Sequence, residues 1–279
     1  MTQLSPANFS NDVLPTEVLR YGAYLCLQLN EETRRTLRQA SVPELVKELH
    51  LENEFHANGH PSNAVAFLRR ISSTARHISD DALLHTQAVI HVASENEKLV
   101  DAFCREMQLL LPANPTMRVL HGGVRPQSYT GAAMHNFAYA HQVTQKPGSS
   151  MPNSFIVPMS KTKAWWEKSW LERHTYLLPR YDANGKMTHQ GHVLAAAAGI
   201  PCLLRRTYKS FTVPAEEGEY DFINYFECAD EDIPTFHAVC AALRDVQHNP
   251  EWQFVKEGPT WHGRRVQGWE EFLELSGLP

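Results

Sequence analysis

Residues 202–228 read CLLRRTYKSFTVPAEEGEYDFINYFEC and contain two strand-like runs separated by a polar connection. The runs Cys202–Thr212 and Tyr220–Cys228 are rich in apolar, β-branched and aromatic residues, which favour strands, and the second alternates between apolar and polar positions. The acidic connection between them carries Pro214 and Gly218, as turns and loops commonly do. This stretch therefore predicts a β-hairpin in an antiparallel sheet.

The segments around this hairpin predict an α+β fold of two similar halves. Around it the second half shows strand Ser154–Pro158, helix Lys163–Leu178, helix Gln190–Ala198, helix Asp232–Val246 and strand Trp252–Lys256. The first half repeats this order with strand Tyr21–Asn30, helix Glu31–Leu51 broken near Pro43, loop His56–Asn63, strand Leu83–Ala93, helix Asn96–Leu111 and strand Met117–Val124. We therefore expect two ferredoxin-like units that form one antiparallel β-barrel with helices outside. The expected divisions are a flexible arm at residues 1–17, an N-terminal half at 18–150 and a C-terminal half at 151–279.

Composition excludes several classes of protein. The formal net charge of -5 argues against nucleic acid or an anionic membrane as the main partner, because both favour basic surfaces. The sequence has no apolar run of roughly 20 residues and no secretory signal at its start, so we expect a cytoplasmic protein without a membrane partner. The five cysteines form no C-x-x-C pair, which argues for reduced, structural thiols.

One of the 15 histidines stands in a setting that suits an iron ligand. His189 and His192 form an H-x-x-H pair that would place two imidazoles on one helical face, but without further ligands this is a weak zinc signal. Haem iron needs only one protein ligand, and the alanines after His192 would let a flat ring approach its helix. On this segment alone, an ordinary histidine at a helix–sheet contact is the favoured interpretation. Arg205, thirteen residues later on a strand, could stabilise a bound anion.

Four features in order resemble the chlorite dismutase family of haem proteins. They are PMSKTKAWW at 158–166, the spacing from His192 to Arg205, RRTYKS at 205–210 and DFINYFE at 221–227, within a resemblance that spans 129–263. The resemblance implies haem b bound in the C-terminal half, a degenerate N-terminal half without haem, and a homo-oligomer that acts on a small molecule. It implies that His192 is the axial iron ligand and that Arg205 is the catalytic residue on the distal side.

The same resemblance implies roles for further residues. Thr207, Asn224 and Phe226 match positions that line the distal pocket. Lys161 matches a lysine near a haem propionate, where opposite charges attract. Aromatic residues at the haem periphery are matched by Tyr129 and Trp165, and Trp166 matches one nearer the subunit contact, although core packing explains each aromatic equally well.

The sequence favours one branch of this family and leaves the reaction open. PMSK also occurs in coproheme decarboxylases, but Val157 stands where that branch has its reactive tyrosine, and Arg205 stands where it has glutamine. Chlorite chemistry is therefore expected, with oxygen transfer from a bound oxyanion while Arg205 holds the remaining fragment. A peroxidase-like or biosynthetic oxidation of an organic substrate, and a haem carrier or sensor, remain alternatives.

Four departures from the family pattern keep those alternatives open. The chain has about a dozen extra residues at 175–188 and a longer hairpin at 211–219. Where the chlorite-degrading enzymes have a tryptophan, this chain has residues near Lys256. The acidic partner of the axial histidine is not assigned by the pattern. His248, Asn249 and Glu251 all lie near its position, and only Glu251 is acidic.

Overall fold

The computed structural model describes residues 20–56, 61–78, 81–111, 117–124 and 150–274. The strands in these ranges are β1 (Arg20–Leu27), β2 (Glu52–Asn53), β3 (Asn63–Thr74), β4 (Ala88–Ser94), β5 (Arg118–Val124), β6 (Asn153–Lys161), β7 (Arg180–Tyr181), β8 (Met187–His189), β9 (Leu204–Lys209), β10 (Phe222–Cys228), β11 (Val255–Glu257) and β12 (Thr260–Arg265). The helices are α1 (Glu31–Gln39), α2 (Val42–Glu48), α3 (Ala82–His85), α4 (Glu97–Leu110), α5 (Lys163–Trp166), α6 (Trp170–Thr175), α7 (Gly191–Ala196), α8 (Ile233–Arg244) and α9 (Trp269–Leu273). The expected arm at 1–17 lies outside the described residues.

Eight of these strands close into an antiparallel barrel. Their spatial order is β10-β9-β5-β1-β4-β3-β12-β6, and β6 pairs again with β10. Within the first half the order β5-β1-β4-β3 places the fourth strand beside the first, then the third and the second. The second half has the same arrangement in β9-β10-β6-β12, read from the opposite end. The prediction of two ferredoxin-like units in one barrel with helices outside is therefore confirmed, whereas the boundary at residue 150 stays a prediction.

Strand alternation separates the barrel interior from two outer faces. On β10, Ile223 and Tyr225 point into an interior core shared with Tyr24 and Trp261, because successive side chains of a strand face opposite sides. The outer face of the first half packs against α1, α4 and α9. The outer face of the second half carries Phe222 and Phe226 and packs against α7 and α8. This second outer face positions the candidate site described below.

A buried ionic cluster joins the two halves inside the barrel. Arg265 at the end of β12 contacts Glu227 of β10 at 2.8 Å and Glu54 of the first half at 3.3 Å. Arg206 of β9 also contacts Glu54, at 3.3 Å. Because buried charges need partners, this cluster favours one relative placement of the two halves.

Several predicted elements are confirmed, and others are wrong in extent. The break near Pro43 separates α1 from α2, and α4 begins after Asn96, whose side chain accepts a hydrogen bond from the Lys98 backbone N–H. The predicted helix at 163–178 is two short helices, since Ser169 caps a new helix through the Glu172 backbone N–H. The first residues of the predicted strand at 83–93 belong to α3, and only β4 is a strand. Most of the predicted strand at 252–256 is a 3-10 turn at 250–254, and the strand itself is β11.

Two strands of the barrel, β3 and β12, were not predicted at all. The outer portion of β3, after Leu68, is polar and largely exposed, so its hydrophobic alternation is short. β12 has the sequence TWHGRR, in which polar side chains occupy buried positions. Both strands are required to close the barrel, which the local pattern does not encode. No helix in the described ranges is both long and apolar enough to span a membrane.

Candidate functional site

Four of the predicted pocket residues share the outer face of β9 and β10. Phe226 lies opposite Arg205 in the strand register, and Asn224 lies opposite Thr207. On its other side Asn224 faces Val157 of β6. Because facing residues of paired strands point to the same side of a sheet, these residues form one continuous surface.

A chain of hydrogen bonds across this surface orients Arg205. The Thr207 hydroxyl donates to Asn224 Oδ1 at 2.8 Å, and Asn224 Nδ2 donates to the Val157 carbonyl at 3.4 Å. The hydroxyl oxygen of Thr207 in turn accepts a hydrogen bond from Arg205 Nε at 3.3 Å. Among the described residues, the Arg205 guanidinium forms no ion pair, so its terminal N–H groups can bind an anion.

The helix that carries His192 packs over the same surface, and a glycine sets where it begins. Gly191 has φ +65°, and a Cβ on it would come within 2.5 Å of the Leu178 carbonyl oxygen. Glycine is therefore required at this turn. The backbone N–H of Gln190 donates to the His248 carbonyl at 2.7 Å, and Ala195 packs in the apolar cluster beneath α7. The start of the helix that carries His192 is therefore fixed by the Gly191 turn and by the His248 carbonyl.

His192 forms a buried relay with Glu251 and Lys161. The distance from His192 Nδ1 to Glu251 Oε2 is 2.8 Å, and that from Lys161 Nζ to Glu251 Oε1 is 2.6 Å. The Glu251 and Lys161 side chains are each only 5% exposed, whereas His192 is 22% exposed. Each carboxylate oxygen therefore has its own partner, and the ring of His192 is held in one orientation.

The electrostatics of this relay keep Glu251 ionised. Burial by itself would raise the pKa of the Glu251 carboxyl above its ordinary value of 4.5. The Lys161 ammonium and the His192 ring outweigh burial, and the pKa of Glu251 lies well below its ordinary value. An ionised Glu251 accepts a hydrogen bond from Nδ1–H and so leaves the Nε2 lone pair of His192 for another partner.

Two tryptophans adjoin the relay in different surroundings. Trp165 is fully buried, with the Lys161 ammonium 4.3 Å from its ring centroid, and its indole N–H has no acceptor among the described residues. Trp166 instead donates from Nε1 to Asp221 Oδ2 at 3.2 Å. The same Asp221 oxygen accepts from the Lys161 backbone N–H at 2.7 Å. Asp221 thus ties the end of β6 to the start of β10, the strand that carries Asn224 and Phe226.

The structure resolves some sequence-based predictions and changes others. Of the three candidates for the partner of His192, Glu251 makes the contact, and its acidity was the available signal. Asp221 was missed as a supporting residue, although it lies within the quoted DFINYFE motif. The predicted sharing of a helical face by His189 and His192 is wrong, because His189 ends β8 and α7 begins at Gly191. Tyr129 lies outside the described residues.

The donor set at His192 fits haem iron. Within the described ranges no three His, Cys, Asp or Glu side chains are grouped as a metal ion would require. Among the same residues His192 Nε2 has no hydrogen-bond partner, while Nδ1 is anchored by a buried carboxylate. A single imidazole with such an anchor is the protein contribution that haem iron needs. Lys161 is already held by Glu251, so a propionate would have to share its ammonium.

Comparison with solved structures places the fold. No family model matches the chain, and no curated protein sequence matches it significantly. A doubly substituted chlorite dismutase from Candidatus Nitrospira defluvii is 19% identical with a TM-score of 0.60, covering 91% of this chain and 94% of that one. The chlorite dismutase from the same organism in complex with imidazole is also 19% identical, with a TM-score of 0.59 and coverage of 91% and 93%. Over nine-tenths of its length, this chain has the fold of the chlorite dismutase structures.

Proposed function

We propose that this protein binds haem b through His192 Nε2 and acts as a haem-dependent oxidoreductase on a small oxyanion or peroxide. The observation that carries the proposal is the buried Lys161–Glu251–His192 relay, because it prepares an imidazole for a metal without supplying a second ligand. The surface that carries Arg205 and Asn224 lies beneath the same helix, which supports a pocket with distinct proximal and distal walls.

The chain's own residues have separate tasks in this proposal. Haem, when bound, supplies a redox-active iron that can exchange oxygen atoms or electrons with a ligand. Arg205 binds the anionic substrate and stabilises charge that develops on its oxygens. Thr207, itself held by Asn224, orients the guanidinium, and Phe226 limits access of water. Val157 provides no phenol, so the proposal favours oxyanion or peroxide chemistry over a tyrosine-dependent decarboxylation.

The cofactor assignment is tested by haem titration of the purified chain. The wild type should bind one haem per chain and develop a Soret band characteristic of a histidine-ligated iron. His192→Ala should shift or abolish this band, whereas His189→Ala, a change three residues away on β8, should leave it unaltered. Failure of the wild type to bind haem, or an identical spectrum for His192→Ala, would refute the assignment.

The reaction is tested with an oxygen electrode. Haem-loaded protein should release oxygen from chlorite, and Arg205→Ala should lower the rate by roughly 10²–10³-fold while haem is retained, as loss of a charge-stabilising donor typically does. Peroxide turnover with an electron donor, but without oxygen release from chlorite, would replace this reaction with the peroxidase-like alternative. Haem binding without either activity would favour a carrier or sensor.

We further propose that only the C-terminal half, residues 151–279, binds haem and that the protein is a cytoplasmic homo-oligomer. The candidate site supports the first statement, since its described members lie on β6, β9, β10, α5, α7 and the turn at 250–254. Trp170 and Leu171, which are 63% and 59% exposed, support a contact between subunits. Light scattering of the purified chain tests the oligomeric state.

A further inference from the structure

A cleft of about 410 Å³ lies at one mouth of the barrel, where β1 ends, β4 begins and the outer portion of β3 starts. Its volume falls within the roughly 300–1,000 Å³ of sites that bind small molecules. The lining consists of five polar side chains and one leucine: Gln28, Leu29, Asn30, Arg70, His85 and Gln87. These lining residues include an arginine but no carboxylate, so the cleft suits a polar ligand that carries negative charge.

Three of the lining residues continue the inward-facing rows of neighbouring strands. Cys26 of β1, Leu68 of β3 and Val89 of β4 belong to the interior core of the barrel. Because alternate residues of a strand face the same side, each row is continued two positions further, at the same end of the barrel, by a polar residue: Gln28, Arg70 and Gln87. Their backbones are tied together, since the Arg70 N–H donates to the Gln87 carbonyl at 2.9 Å and the Gln87 N–H to the Leu27 carbonyl at 2.8 Å.

The lining side chains are held so that hydrogen-bond donors remain available. Gln87 Oε1 accepts a hydrogen bond from the Leu29 backbone N–H at 2.7 Å, which leaves Nε2 of Gln87 as a donor. Asn30 Oδ1 accepts from the Thr33 backbone N–H at 2.8 Å, which leaves Nδ2 of Asn30 as a donor. Arg70 donates from Nη1 to a backbone carbonyl at 3.2 Å, and its Nε and Nη2 groups form no hydrogen bond within the described ranges. All three side chains are exposed, so a ligand from solvent can reach them.

We propose that this cleft binds the carboxylate of a small organic acid through Arg70, Gln87 and Asn30. Guanidinium and amide N–H groups match a ligand group that only accepts hydrogen bonds, and Arg70 has no ion pair among the described residues. One arginine balances one negative charge. The exposed Glu31 and Glu32, which follow Asn30 at the start of α1, disfavour the second negative charge of a phosphate. The cleft shares no residue with the proposed haem pocket and does not depend on it.

Saturation-transfer NMR on the full-length chain, with and without haem, tests the proposal with sodium lactate as the probe. Lactate is a monoanion, and lactamide is a neutral molecule of nearly the same shape. The lactate methyl signal should show saturable binding to the wild type, which neither lactamide nor inorganic phosphate at equal ionic strength should displace. Absence of saturable lactate binding, or equal binding of lactamide, would overturn the proposal, and displacement by equimolar phosphate would overturn the assignment to a carboxylate.

Substitutions in the cleft distinguish this site from general attraction of anions. Arg70→Gln should weaken the affinity for lactate by about tenfold or more, because the charged donor is lost. Gln87→Glu keeps an acceptor for the Leu29 N–H but replaces the donor by a charged oxygen, so it should abolish binding without unfolding the chain. Arg35→Gln, an exposed arginine of α1, and Arg205→Ala at the proposed haem site should bind lactate like the wild type. Unchanged affinity in the Arg70 and Gln87 variants, or loss of binding in Arg205→Ala, would show that lactate does not occupy this cleft.

Discussion

Glu251→Gln should destabilise the protein far more than the loss of one hydrogen bond, because it leaves a buried ammonium without a counter-charge. Glutamine keeps the size of the side chain but only one of the two acceptor oxygens, so the negative charge and one of the two hydrogen bonds are lost. Lys161 Nζ lies 2.6 Å from Glu251 Oε1, and both side chains are 5% exposed. Breaking a buried pair by removing one partner costs about 3–5 kcal/mol. At roughly 2–4 °C per kcal/mol for a chain of this size, Tm should fall by about 6–20 °C.

Urea unfolding of the haem-free protein, followed by tryptophan fluorescence, measures this loss directly. The matched control is Glu172→Gln, since Glu172 also contacts a lysine, Lys168, at 2.6 Å but is 49% exposed. Exposed pairs contribute about 0–1 kcal/mol, so the control should change the free energy of unfolding little. The two substitutions thus break two ion pairs of equal length, one buried and one exposed.

A double variant separates the charge pair from other effects of the substitution. Lys161→Met combined with Glu251→Gln removes both charges. The free energy of unfolding that this double variant loses should be about 1–3 kcal/mol smaller than the sum of the losses of the two single variants. If Glu251→Gln costs no more than the Glu172 control, or if the double variant is simply additive, the relay does not contain the ion pair described above.

Further predictions follow from the same site. Glu251→Gln should weaken haem binding by roughly 10–100-fold in titration, because the axial imidazole loses its anchor; unchanged affinity would contradict this. The carboxylate of Glu251 stabilises the fold fully above its ordinary pKa of 4.5, and this contribution is lost as the pH falls below that value. The free energy of unfolding of Glu251→Gln should therefore fall less with decreasing pH than that of the wild type. Parallel curves for the two proteins would contradict this prediction. Gly191→Ala should cost about 2 kcal/mol or more in urea unfolding, whereas Gly185→Ala, at φ +76° with no atom within 4 Å of its Cβ, should cost about 1 kcal/mol; equal losses would show that the Leu178 contact is unimportant.

The sequence predicted the elements whose local pattern is strong and whose environment is simple. The alternation of Tyr220–Cys228 predicted β10, and the helical spacing after Asn96 predicted α4, because each element buries one regular face. β3 and β12 escaped prediction for the opposite reason. Their polar residues lie among barrel positions that only long-range pairing defines, as with Arg265 in its contacts to Glu54 and Glu227.

The sequence by itself determined the residue types of the candidate site and their order: His192, Arg205 thirteen residues later, and Asn224 on the next strand. Only the tertiary structure decided which carboxylate serves His192, because Glu251 lies 59 positions away in the chain. It also showed the buried cation at Arg34, which no local pattern distinguishes from the exposed Arg35 beside it. Neighbours that come from distant segments set burial and charge pairing, and short sequence motifs do not contain that information.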